Sequence, residues 1–157
     1  MAALTGYAGA FSGDTSEIST TKQYKLGTRA LDQDGNEYMY VQGVASGAAG
    51  SWVSVDEAHV TTLLAANAVG RVGVLMSALD ATTDFGWMQI YGKNTIAKAD
   101  TVADNKSLYI DATAGQVDDA GVAGDAIFGA VSRSATASDI ITVELSYPHV
   151  MDGAYLT

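Results

Sequence analysis

The residues of this chain that could do chemistry are few and scattered. Two histidines, His59 and His149, stand far apart, and neither has a second histidine or a carboxylate at the spacing of a metal-ligand pair. There is no cysteine, so thiolate metal sites, cysteine nucleophiles and disulfides drop out together. Asp32, Asp34 and Glu37 around Gly35 have a trace of a calcium loop. That loop needs a third Asp or Asn before the glycine and a glutamate six residues after it, where this chain has Val41. Asp118, Asp119 and Asp125 form a second acidic group among Gly and Ala, which reads as a solvated loop. Adjacent carboxylates such as Asp118 and Asp119 point apart on a strand and do not oppose each other across a cleft. Gly47-Ala48-Ala49-Gly50 and Gly70-Arg71-Val72-Gly73 lack the Gly-Lys-Ser/Thr of a phosphate loop, and no G-x-S-x-G elbow occurs. These absences point away from an enzyme, and no catalytic residue, metal or cofactor is expected.

The elements that would position any site read as strands. Tyr24–Leu31 and Glu37–Gln42 flank Asp32-Gln33-Asp34-Gly35-Asn36, whose Asp-Gly step suits a tight turn because glycine accepts positive φ. This is the clearest hairpin in the chain. Residues 44–51 are rich in Ala, Gly and Ser and read as a loop, and Trp52–Val55 as a short strand. Asp56–Asn67 is ambiguous. Asp56 suits a helix cap with Val60, Leu63 and Leu64 on one face, while β-branched Val60, Thr61 and Thr62 favour extended chain. Arg71–Met76 puts Val72, Val74 and Met76 on one face. Phe85–Tyr91 is apolar on both faces, as a central strand is. Ala114-Gly115 marks a second hairpin between Ser107–Asp111 and Gln116–Val117, and Ile127–Val131 is another short run. Ile141, Val143, Leu145 and Tyr147 alternate with Thr142, Glu144 and Ser146, a period of two that ends at Pro148. About seven short strands with glycine turns predict a mainly β fold, a single small antiparallel barrel or sandwich.

At 157 residues the chain suits one domain with a core, and 48% of its residues are hydrophobic. The formal net charge of -10 repels phosphate backbones and anionic membranes, and the eight Lys and Arg are scattered, so neither nucleic acid nor membrane is an expected partner. No run approaches the roughly 20 apolar residues of a membrane span, and no segment has the layout of a signal peptide, so synthesis in a cytoplasm is expected. No repeat of 20–50 residues is present.

The ends have a different character. Residues 1–22 keep neither helical nor strand periodicity, yet Leu4, Tyr7, Phe11 and Ile18 are apolar and spaced out. A purely solvating tail has little use for aromatics, so an extended arm that orders on a partner is expected, with these side chains as anchors. The predicted organisation is an arm over 1–22, a β-rich body over 23–148 and a tail over 149–157. The tail adds Tyr155 and Leu156 as partner-binding candidates. A glycan or small-molecule pocket would need Trp52, Trp87 and nearby tyrosines, which read more readily as core.

Three stretches in order carry a resemblance. Ser19-Thr20-Thr21-Lys22-Gln23-Tyr24-Lys25-Leu26-Gly27-Thr28-Arg29 leads into Asp34-Gly35-Asn36-Glu37-Tyr38-Met39-Tyr40-Val41. Gly70-Arg71-Val72-Gly73-Val74 is followed by Phe85-Gly86-Trp87-Met88-Gln89-Ile90-Tyr91-Gly92. Asp104-Asn105-Lys106-Ser107-Leu108-Tyr109 and Gly124-Asp125-Ala126-Ile127-Phe128-Gly129-Ala130 close on Val143-Glu144-Leu145-Ser146-Tyr147-Pro148. Together they resemble the head decoration, or cement, proteins of tailed bacteriophages over most of residues 19–148. It is a pattern of strands and glycines, with no catalytic signature. The resemblance implies a virion protein on the outer surface of the head that binds the major capsid protein and stabilises neighbouring subunits. It also implies self-association into a homo-oligomer, a trimer in preference to other orders. A head-fibre base or a tail component is the alternative within the same particle.

Overall fold

The computed structural model describes residues 13–151. Among the described residues there are ten strands and no helix. They are β1 (Arg29–Leu31), β2 (Glu37–Gln42), β3 (Trp52–Val55), β4 (Thr61–Leu63), β5 (Gly70–Leu75), β6 (Phe85–Lys98), β7 (Ser107–Ile110), β8 (Val117–Asp118), β9 (Ala126–Ser132) and β10 (Ile140–Val150). All ladders are antiparallel. The strands form one sheet in the order β1-β2-β6-β5-β10-β9-β7-β8, with β3 on β5, β4 on β3, and β10 also on β6. The path is open, because β1 and β8 are not paired with each other.

The first hairpin forms as its residues dictate, with a shorter first strand. Asp32 accepts from the backbone N–H groups of Asp34 and Asn36, both at 2.9 Å, from Asn36 Nδ2 at 2.7 Å and from the Tyr38 hydroxyl at 2.8 Å. Burial pushes the Asp32 carboxyl up, but these hydrogen bonds outweigh it and hold the group below the usual carboxylate range. Of the acids that resembled a calcium loop, Asp32 and Asp34 are therefore turn residues, and Glu37 begins β2. Tyr24–Thr28 does not extend β1. Thr28 N–H turns back to Lys25 O at 3.0 Å, and the His59 ring lies directly against Gly27.

No helix forms over Asp56–Asn67. Asp56 accepts from the N–H groups of Ala58 and Val60, both at 2.9 Å, but within a hairpin turn that joins β3 to β4. The β-branched run Val60-Thr61-Thr62 decides the outcome. The last strand likewise passes through Pro148 to Val150, two residues into the predicted tail. Proline is tolerated there because the ladder is interrupted between Leu145 and His149.

Burial follows the ladders. Met39 and Val41 of β2 and Met88 and Ile90 of β6 pack with Val53, Val55, Leu75 and Leu79. On the opposite face Tyr38, Tyr40, Trp87 and Ala30 form a second group. Residues 86–90 of β6 are thus buried on both sides, as a run apolar on both faces predicts, with Gln89 its one polar residue. A third, larger group gathers Trp52, Leu64, Val72 and Val74 with side chains of β7, β8, β9 and β10. Met76 leaves the face of Val72 and Val74 and packs against the tyrosine and tryptophan group instead.

Candidate functional site

The site is a corner where three neighbouring strands change direction. β10 pairs with β6 through Ser146, then with β5 from His149 onward, so Tyr147-Pro148 is the crossing point. β6 bends at Gly92 (φ 93) and β9 at Gly129 (φ 76). A Cβ on Gly129 would lie 2.5 Å from Ser146 O, which makes glycine obligatory there. The third bend falls on Tyr147, whose φ is 51. Positive φ is strained for an aromatic residue, and a following proline restricts it further. Buried Gln89 and Asn94 brace the bend of β6. Gln89 Nε2 donates to the carbonyls of Tyr91 at 3.0 Å and Lys93 at 3.1 Å, and Asn94 Nδ2 donates to Gln89 Oε1 at 2.9 Å.

The bend turns the Tyr147 ring outward. It lies beside Tyr91 with centroids 5.2 Å apart and planes at 34°. Tyr91 is 41% exposed and Tyr147 48%. The Tyr147 hydroxyl donates to Glu37 Oε2 at 2.6 Å, Arg29 holds Glu37 Oε1 at 2.8 Å, and the Arg29 guanidinium lies 5.7 Å from the Tyr147 ring centroid. The bond to Glu37, then burial and the charge of Glu37, raise the Tyr147 hydroxyl above the usual tyrosine range. The Tyr147 ring is thus held in place before any partner arrives, with Tyr91 packed against it.

Beside the pair, the outward face of β6 and β10, with Arg133 just after β9, forms an open-sided groove of about 510 Å³, with Tyr91, Lys93, Arg133, Thr142, Glu144 and Ser146 on its walls. Lys93 stands opposite Glu144 in the ladder. Arg133 is committed to Glu144 Oε2, 2.8 Å from Nε and 2.8 Å from a terminal nitrogen, and to Asn105 Oδ1 at 2.8 Å. No described residue pairs with the Lys93 ammonium.

Of the predicted partner-binding residues, Leu4, Tyr7, Phe11, Tyr155 and Leu156 lie outside the described residues. Ile18 is 46% exposed, immediately before the isolated antiparallel bridge Ser19–Phe85, whose two hydrogen bonds are 3.0 and 2.8 Å. Trp52 and Trp87 are core residues, 0% and 2% exposed, so neither indole is open to a ligand. Trp52 donates to Lys98 O at 3.0 Å, and Trp87 packs against Tyr40 and Tyr24. Asp118, Asp119 and Asp125 separate into loop contacts to the N–H groups of Ala120, Ala103 and Asn67. Burial raises the Asp118 carboxyl, partly offset by the Ala120 bond. Among the described residues no three His, Cys, Asp or Glu side chains are placed to hold a metal ion.

Sequence reasoning missed the exposed tyrosine pair. Strict alternation puts Tyr147 on the inward face with Leu145, and the bulge reverses it. The one available signal was its place before Pro148. No protein-family model, no curated protein and no solved structure matches this chain.

Proposed function

We propose that this chain is a non-enzymatic structural protein of a virus particle. It binds the outer capsid surface through its N-terminal arm and bridges or stabilises neighbouring capsid subunits. The observation that carries this reading is the junction of arm and body. No residue from 13 to 25 is buried, and among the described residues the hydrogen bonds of 13–18 stay within that segment. Among the described residues the first hydrogen-bonded tie to the body is at Ser19. The pattern over residues 19–148, which resembles head decoration proteins, supplies the rest, and the net charge of -10 suits protein partners rather than packaged nucleic acid.

The partners in this reading are the major capsid protein and further copies of the chain, in a homo-oligomer for which a trimer is the first expectation. A barrel-like body is part of the proposal, supported by the parallel bridge Ala99–Val117 that brings β8 beside the end of β6. A protein that binds the assembled shell and not free subunits stabilises the shell by linkage. Each buried anchor such as Leu4 or Phe11 contributes roughly 1.5–3 kcal/mol, and several arms on one oligomer act together.

Deleting residues 1–18 tests this. The truncated chain keeps Ser19 and its bridge, so its melting temperature is expected to stay close to that of the full chain while co-sedimentation with undecorated shells is lost. Normal decoration by the truncated chain would remove the arm from the proposal.

A further inference from the structure

We infer that the outer face of β6 and β10, with Arg133 beside it, binds a saccharide that carries carboxylate groups. The inference does not depend on shell binding, which is assigned to the arm. Tyr91, 41% exposed, presents an aromatic ring at the end of the groove, backed by Tyr147 with ring centroids 5.2 Å apart. The negative face of an aromatic ring attracts the polarised C–H edges of a sugar ring, while the sugar hydroxyls remain free for hydrogen bonds. Along the groove stand Thr142, Ser146, Glu144, Arg133 and Lys93, which offer donors and acceptors in alternation. Its volume of about 510 Å³ falls within the roughly 300–1,000 Å³ of ligand sites, and its open sides suit a chain lying across the sheet.

Charge selects an acidic sugar. The chain as a whole carries -10, yet this groove holds two cations against one anion. The Arg133 charge is already paired with Glu144, whereas the Lys93 ammonium has no partner among the described residues and is open to a carboxylate. The strained φ of Tyr147 keeps its ring outside against Tyr91, where the regular ladder would bury it, a cost that a role in backing the Tyr91 ring for binding explains.

The test is calorimetric titration of the full chain at low salt with tetragalacturonate, with a short oligosialate, and with neutral maltotetraose. Saturable binding of at least one acidic sugar is expected, with maltotetraose markedly weaker. Tyr91→Ala is expected to weaken that binding about tenfold or more, and Lys93→Gln about fivefold, as for an exposed ion pair. Raising the salt is expected to mimic Lys93→Gln. Lys93→Gln alters only an exposed side chain, so it remains informative if Tyr91→Ala disturbs the tyrosine pair. No saturable binding of either acidic sugar, equal binding of maltotetraose, or an affinity unmoved by both variants would each overturn the inference.

Discussion

Two aromatic groups in this protein, both built on β6, meet opposite environments. Tyr40 and Trp87 are packed 5.1 Å apart inside a regular ladder, 2% exposed each, with Tyr24 laid over them at 5.2 and 5.6 Å. Four residues along β6 from Trp87, Tyr91 pairs with Tyr147 at nearly the same separation and both remain open to solvent. The first group obeys the two-residue period of an undisturbed strand. The second exists because three strands bend together and one bend falls on Tyr147. Aromatic residues in the ladder hold the fold, and those at the bend are held by it.

Substitutions can break that contrast. Trp87→Ala removes the largest side chain of the interior group and is expected to cost about 3–5 kcal/mol in denaturant unfolding. Tyr147→Phe keeps the ring but removes the donor to Glu37 Oε2, leaving Arg29 on Oε1, at an expected cost of about 1–2 kcal/mol. A loss as large as that of Trp87→Ala would mean that the outer pair carries the fold as well. Tyr91→Ala is expected to cost no more than about 1 kcal/mol, the stacking of an exposed pair.

A smaller effect is expected with pH. Burial, then the charge of Arg71, holds His59 below its ordinary value of 6.5. As pH falls the unfolded chain takes up this proton first. The stability is therefore full above the unfolded value and is lost as pH falls through the folded one. Thermal melts between about pH 7 and about pH 5 are expected to show a shallower decline for His59→Asn, which keeps a residue tolerant of the positive φ of 63 at that position. An unchanged slope would place the titration elsewhere.

Much of the fold was legible because its signals are local. The Asp-Gly turn, the Ala-Gly turn before β8 and the start of β6, apolar on both faces, act through neighbours in sequence. Asp56 was ambiguous because a carboxylate that accepts backbone N–H groups two and four residues on serves a turn as well as a helix cap. The candidate groove was not legible. It depends on Gly92, Gly129 and Tyr147, which are far apart in sequence and coincide only once β6, β9 and β10 are in register. Buried Gln89 and Asn94, which brace the bend, read in sequence as ordinary polar residues.

Quantifying this chain in purified virus particles by mass spectrometry tests the central claim most directly. A structural role on the shell is expected to give a fixed molar ratio to the major capsid protein, retained through density-gradient purification and abolished when residues 1–18 are deleted. Particles made in the presence of the full chain that purify without it, or that carry it in no fixed ratio, would contradict it.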